Sequence, residues 1–358
     1  MLGVFQEHFF SSADQSSWRK YLPEGRSVFG SLGYARICET YRNFSPRLYV
    51  LESGNAIICY PLFLRPLADL PFNSASSGKW DSGTPDFTGP LMYGSDCRLA
   101  SVFPAHRDAL FQTEGIVAEF AHLHPWSNAV TVLADGSAYN RDIVWVDVSL
   151  SPEKLWRDQF EHCCRKNINR AEREGVRVFA AAGDEYVREF HRIYVGTMDR
   201  RNALAGYYFS YKFFKAFIEE LPANSRFVFA EYRNQVVAAT LYLYDDQDVF
   251  SFLGGTDVAF QQVRPTNAVI WQTIRWAHET GKKRLILGGG YSPGDNIFRF
   301  KSTFSRLLRP FHVYKKIHLE QDYAALEQRC REYGSLNGQS INYFPSYRFL
   351  PTQPKPVV

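Results

Sequence analysis

Residues 284–304 read RLILGGGYSPGDNIFRFKSTF. The run Arg284–Leu287 is apolar enough for a buried strand, and the three glycines after it permit positive φ and close approach of another backbone. A phosphate cradle and a plain turn both fit a glycine run of this kind. The segment Asn296–Phe304 that follows places Lys301 on a short helix between aromatic residues.

Upstream, Ala268–Thr280 has the spacing of a helix, with Gly281 as its terminator, and Val249–Leu253 reads as a strand. Before these, Phe227–Tyr232 and Val236–Tyr244 form a hairpin turned by Arg233, Asn234 and Gln235. Helices are expected at Glu185–Met198 and Tyr211–Glu220. Ser151-Pro152-Glu153 is a helix start, with a hydroxyl cap, proline in the first turn and an acid at the positive end. That helix is expected to run to Arg173, with Gly175 ending it. The order is helix, helix, three strands, helix, strand. Parallel strands need a crossover, and Ala268–Thr280 supplies one.

The first half is less regular. Arg47–Ser53 and Ala56–Leu67 form a hairpin, and a Gly/Ser/Pro-rich passage follows from Pro71 to Gly94. It carries Trp80, Phe87 and Met92, too apolar for simple disorder, so a functional loop is expected. His106–Phe120 reads as an amphipathic helix and Ile143–Val148 as a strand. A chain of 358 residues suits two domains. We expect them at 1–150 and 151–320, with a C-terminal helix and tail at 321–358 that packs back on the first. Pro351–Val358 is expected to be a loose tail.

Apolar residues make up 45% and charged residues 22%, an ordinary globular mixture, while the aromatic share of 16% suits large sheets with aromatic-lined grooves. A net charge of +4 is too mild for a whole-surface nucleic-acid coat, so any polyanion contact must be local. The six cysteines show no CxxC pair or Cys/His cluster, which fits reduced thiols and no metal. No signal peptide is visible, and no stretch reaches the ~18 apolar residues of a membrane span. A cytoplasmic location is expected, and peripheral membrane contact stays open.

Gly289-Gly290 followed by Arg299-Phe300-Lys301-Ser302-Thr303-Phe304 resembles the FemAB family and its relatives, the BioF2-like acetyltransferase domains. Three upstream segments fit the same pattern. Arg165–Val176 is similar to the family's basic helix ending in Ala-Glu-x-x-Gly-Val. Thr197–Arg200 with Tyr207-Tyr208 resembles its Thr-x-x-Arg and Tyr-Tyr elements, and Trp271, Trp276, Ala277 and Gly281 its crossover helix. The ordered set covers about residues 151–310. In the first half, Thr84–Pro90 resembles the family's acceptor loop with its aromatics partly replaced, and Ser305 stands where many members have glycine.

The resemblance implies an α/β protein of two acetyltransferase-like (GNAT) domains, with mixed sheets flanking a central cleft. It also implies transfer of an aminoacyl group from aminoacyl-tRNA, or an acyl group from a thioester, onto an amine. Such an attack builds a tetrahedral oxyanion, which needs a positive partner or aligned N–H donors. Lys301 is the candidate for that partner, or for contact with the donor's ribose-phosphate, with Phe300 shaping the pocket; a solvated lysine is the bland alternative.

Arg200 is expected to grip a nucleotide-linked acceptor in a bidentate fork, and Arg201 leaves a one-residue ambiguity. Tyr207 and Tyr208 can stack on the acceptor or simply pack. Arg299 and Asp86 belong to the same substrate-binding set through their motifs. Asn267 stands at a helix start that can hold a phosphate or a carboxylate, against the ordinary capping that such a start commonly shows. Arg165, Lys166 and Arg170 lie on a basic helix that would meet the donor, tRNA included, although interspersed acids allow plain helix salt pairs.

No Gln/Arg-x-x-Gly-x-Gly coenzyme A loop, serine elbow, metal motif or dinucleotide fingerprint occurs, so direct attack without a tightly bound cofactor is expected. Aminoacyl-tRNA or acyl-CoA would then be a co-substrate. The acceptor class is a cell-wall precursor, an envelope polysaccharide or a small metabolite. A catalytically silent module binding a nucleotide-sugar or polyanion is the competing reading.

Overall fold

The computed structural model describes residues 5–73, 78–84, 86–94, 97–133, 136–290, 292, 294–335 and 341–349. Along the chain come β1 (Gln6–Ser11), α1 (Gln15–Tyr21), α2 (Leu32–Arg42), β2 (Ser45–Ser53), β3 (Ala56–Pro66), β4 (Trp80–Gly83) and β5 (Leu91–Tyr93). Then follow α3 (Cys97–Thr113), β6 (Ile116–His122), α4 (Ala129–Val132), β7 (Ser137–Asp147), α5 (Pro152–Asp158) and α6 (His162–Arg173). The next elements are β8 (Arg177–Ala180), α7 (Asp184–Arg200), α8 (Tyr211–Glu220), β9 (Ser225–Tyr232), β10 (Gln235–Tyr244) and β11 (Asp248–Thr256). Last are α9 (Pro265–Glu279), β12 (Arg284–Gly288), α10 (Asn296–Ser302), β13 (Leu308–Ile317) and α11 (Glu320–Tyr333).

Two compact units result. The first takes described residues up to 24, 29–140 and from 311 onward; the second takes 25–28 and 141–310. In the first, strands run in the order β1-β2-β3-β4-β6-β13, with β5 also on β3. In the second the order is β8-β9-β10-β11-β12-β7. Among the described residues each unit has one parallel pair of strands, β4 with β6 and β11 with β12, joined through α3 and α9 respectively. Each also closes with an antiparallel sixth strand, β13 on β6 and β7 on β12. The two units therefore repeat one topology, although their residues show no visible repeat.

Each unit buries its own core. In the second, Val146, Tyr242, Val249, Ile274, Leu285 and Phe304 pack together, so α9 and α10 are seated on the sheet. In the first, Tyr49, Tyr60, Phe103, Phe111 and Leu123 pack under α3. A buried charge cluster accompanies that core. The Arg107 guanidinium donates to Asp108 Oδ1 at 2.8 Å and to the Tyr314 hydroxyl at 2.8 Å, while His318 Nε2 lies 3.0 Å from Glu119 Oε2. Burial notwithstanding, Lys316, whose Nζ donates to Asp108 Oδ2 at 2.6 Å, and then Arg107 hold the Asp108 carboxyl below its ordinary range, and Arg107 and His318 do the same for Glu119.

The crossover helix, the hairpin β9–β10 and the strands flanking α9 stand where the sequence puts them. Three expectations need correction. The helix expected at His106–Phe120 ends at Thr113, because Gly115 at φ +71° turns the chain and Ile116–His122 pairs as β6. Apolar residues in that stretch fit either period, and pairing with β4 and β13 decides it. The single helix expected over 151–173 is two, α5 and α6, because Phe160 turns into the core between them. Its start is as expected, with Ser151 Oγ accepting from Lys154 N at 3.3 Å. The passage 71–94 is not a bare loop, since it contributes β4 between β3 and β6 and β5 on β3.

The expected boundary near residue 150 lies beyond β7, whose residues from 141 count with the second unit and whose Val144, Trp145, Val146 and Asp147 pair with β12. The α11 helix counts with the first unit. The tail expected at Pro351–Val358 lies outside the described residues. Cys38, Cys59, Cys163, Cys164 and Cys330 are free thiols. No described helix is long and apolar enough to cross a membrane.

Candidate active site

The second unit opens where β11 and β12 part. They pair only through Asp248–Phe250 against Arg284–Ile286, although β11 continues to Thr256 and β12 to Gly288. Buried Asp248 takes both Nε and Nη2 of Arg284, which pins the register at the closed end. Toward the open end both strands are irregular. β11 skips a residue against β10 at Phe252, and β12 shifts against β7 at Leu287. In sheets with parallel strands, ligands bind outside the carboxyl ends of those strands.

On the β12 side stand Gly288, Gly289 and Gly290. Lys301 Nζ donates to the Gly289 carbonyl at 2.7 Å. Gly288 has φ +80°, open to glycine at little cost, and a Cβ there would lie 3.4 Å from the Lys301 ammonium. Arg141 Nη1, reaching from β7, donates to the Gly290 carbonyl at 2.7 Å. Asp295 caps α10, accepting from Phe298 N at 2.8 Å and from Ser292 N at 3.1 Å. Desolvation lowers the Lys301 ammonium to about 8; the Asp295 carboxylate works against the shift, and Arg141 adds to it. This lysine is mostly charged at neutral pH and needs little to change that.

On the β11 side, Arg200 Nη1 donates to the Thr256 carbonyl at 2.9 Å. Thr256 N donates to Thr197 Oγ1 at 3.2 Å, and Thr256 Oγ1 lies 2.7 Å from Thr266 Oγ1 in the first turn of α9. Beside it, Asn267 is only 4% exposed, and its Nδ2 is buried without a hydrogen-bond partner among the described residues. Because β11 and β12 are parallel and α9 starts after β11, Asn267, Arg200 and the glycine run all belong to the same end of this pair.

Phe300 packs against the core and meets Phe304 edge-on at 5.6 Å, while Arg299 on the same helix is exposed. Tyr207 is half-exposed with its carbonyl taken by the Tyr194 hydroxyl, and Tyr208 donates its hydroxyl to Asp199 Oδ1 at 3.0 Å. Arg165 is spent locally: Nη1 donates to the Trp156 and Phe160 carbonyls, closing the end of α5. Lys166 is exposed on α6, and Arg170 lies 3.7 Å from Glu174. Asp86 belongs to the first unit, where it accepts from the Tyr34 hydroxyl at 3.2 Å.

Three contributors escaped the sequence reading. Asp295 left a signal, an acid just before a helix with an amide three residues on to receive it. Thr256 left none. Arg141 sits on a strand far from the motif in sequence, and only strand pairing brings it near Gly290.

Residues 159–302, inside the second unit, match the family model of an acetyltransferase (GNAT) domain. No curated protein matches the chain. Among solved structures the chain is similar to FemX, with a TM-score of 0.67 at 10% identity over 89% of this chain and 99% of that one. It is also similar to the C-terminal domain of a putative lysylphosphatidylglycerol synthetase from Agrobacterium fabrum, with a TM-score of 0.54 at 12% identity over 90% and 98%. A tandem GNAT protein from the clavulanic acid biosynthesis pathway gives 0.51 at 9% identity over 88% and 99%. At such identities the likeness is one of fold. Residues 159–302 thus match an acetyltransferase (GNAT) domain, within a fold of two α/β units similar to that of FemX.

Proposed function

We propose that this chain is an N-acyltransferase acting by direct attack. It moves an aminoacyl group from an ester, or an acyl group from a thioester, onto an amine of a cell-wall, envelope-polysaccharide or small-metabolite acceptor. The observation that carries this is Lys301, an ammonium held at about 8 by desolvation beside the parting strands of an acetyltransferase domain. In the reaction the acceptor nitrogen bonds to the donor carbonyl carbon, and the carbonyl oxygen takes up negative charge. Collapse breaks the C–O or C–S bond; the nitrogen loses a proton and the leaving alkoxide or thiolate gains one. A desolvated cation near that oxygen is worth more than one in water, because its field is less screened.

Donor choice is the finer part of the proposal. Pro265 has no N–H, and the amides of Asn267 and Ala268 already bond to the Arg264 carbonyl at 3.1 and 3.4 Å. The start of α9 thus offers few free backbone donors to a pyrophosphate, which favours an aminoacyl ester such as aminoacyl-tRNA over acyl-CoA. Arg200 and the Asn267 side-chain Nδ2 are the proposed phosphate contacts, with Tyr207, Tyr208 and Arg299 at the rim. Asp86 is proposed for the acceptor, and exposed Lys166 with Arg170 beside Glu174 for the donor.

The test is parallel incubation with labelled aminoacyl-tRNAs and acyl-CoAs, reading which label reaches an amine-bearing extract. In Lys301→Met, turnover should fall about 100- to 1000-fold, the usual effect of losing an oxyanion donor. Turnover kept within about threefold in a folded variant would remove Lys301 from the reaction.

A further inference from the structure

Each glycine of the run faces a different charged side chain. Added Cβ atoms would lie 3.4 Å from Lys301 Nζ at Gly288, 2.9 Å from Arg141 Cδ at Gly289, and 2.7 Å from Asp295 Cγ at Gly290. Two cations therefore clasp consecutive carbonyls, Lys301 on Gly289 and Arg141 on Gly290, with the Asp295 carboxylate at the same turn. The run is a floor of bare backbone on which three charges are set. Side chains at these positions would push the charges away.

Arg141 is exposed, yet its Nη1 reaches this floor from β7, an element outside the Gly–Phe–Lys motif. Its bond fixes where the Gly290 carbonyl points, and the peptide that carries the Gly289 carbonyl, which holds Lys301, adjoins that one at the Gly290 Cα. Its charge also opposes a second cation close by, whereas the Asp295 carboxylate favours one. We propose that Arg141 is a positioning residue for Lys301, holding the glycine backbone that aims the ammonium and setting, against Asp295, how readily that ammonium gives up its proton. This rests on the reading of Lys301 as the group that meets the oxyanion.

The experiment follows the Lys301 side-chain nitrogen by NMR titration in lysine-labelled protein, with Lys301→Arg identifying the signal. Arg141→Met should move the Lys301 midpoint up by about half a unit or more, as expected for removal of a nearby like charge. Arg141→Lys, which keeps the charge, should move it less. Asp295→Asn should move it down. An unchanged midpoint in both Arg141→Met and Arg141→Gln overturns the inference. The pH dependence of turnover is read on the same variants. If the midpoint moves and the alkaline limb of the rate moves with it, both readings stand. A moved midpoint with an unmoved limb leaves Arg141 in its role and removes Lys301 from catalysis.

Discussion

Asn267 is an unusual tenant of a helix start, because its Nδ2 is buried with no partner among the described residues. An unpaired buried donor costs about 1–3 kcal/mol, and replacing it by an apolar group of similar shape is near neutral or stabilising. A residue kept only for capping would gain nothing from that arrangement. A residue kept for a ligand would tolerate the cost. Asn267→Leu should therefore leave the unliganded protein as stable as wild type or up to about 1 kcal/mol more stable. The same variant should raise KM for a phosphate-bearing substrate about tenfold, the loss of one charged hydrogen bond. Urea unfolding and steady-state kinetics check the two halves. A clear loss of stability with an unchanged KM would return Asn267 to a structural role. Lys301 and Asn267 could be singled out in sequence because each sits in a short local pattern. Arg141 could not, since its relevance depends on β7 lying against β12, a pairing made across more than a hundred residues.

At the scale of elements, the position of Arg200 depends on how closely α7 lies on β11. A Cβ on Gly255 would stand 2.7 Å from the Ile193 carbonyl and overlap Thr197, so glycine there lets the helix backbone touch the strand. The Ile193 carbonyl is backbone and cannot swing aside, so Gly255→Ala must lift α7. We expect a loss of about 1–3 kcal/mol, typical of overpacking, and a weaker grip of Arg200 on the Thr256 carbonyl. Thermal unfolding, with acceptor affinity measured beside it, tests this; unchanged values in both would show that α7 is free to shift.

The elements that sequence reading placed well share a trait: α9, β9 and β10 have clear punctuation, Gly281 after the helix and Arg233-Asn234 at positive φ in the turn. Where it failed, the local signal was outvoted. Residues 116–122 have helical spacing but join the sheet, and Phe160 breaks a continuous helical pattern because its ring fills the core. Trp80–Gly83 looked like loop because its neighbours are Gly and Ser, and only pairing with β3 and β6 makes it a strand.

The whole molecule repeats one topology with the last strand of each unit displaced along the chain. β7 follows β6 in sequence yet pairs with β12, and β13 follows β12 yet pairs with β6. The other five strands of each unit follow one another in chain order, so the absence of a visible repeat lies in the residues themselves, which differ between the units. The two units also differ in how they treat buried charge. In the first, Glu119 and Asp108 are stabilised as carboxylates by Arg107, His318 and Lys316. Their folded values lie below the ordinary 4.5 and 3.8, so their stabilisation is present above that range and is lost as pH falls through the depressed values.

Lys301 in the second unit has the opposite sign. Its folded value of about 8 lies below the ordinary 10.5, so the folded state holds the charged form at a cost. That cost is fully present below pH 8 and is relieved as pH rises from about 8 toward 10.5, where the unfolded chain also loses the proton. Other groups obscure this in the wild type alone. Buried Cys38 and Cys164, pushed up to about 12, make the fold less stable at high pH. The difference between wild type and Lys301→Met isolates the lysine. At pH 7 the variant should be the more stable, by up to about 3 kcal/mol on the scale of 1.36 kcal/mol per unit. The gap should shrink steadily above pH 8 in urea titrations run at each pH. A gap that is absent at pH 7, or that widens as pH rises, would mean the ammonium is well solvated, and the case for Lys301 as a desolvated cation poised for a forming oxyanion would fall with it.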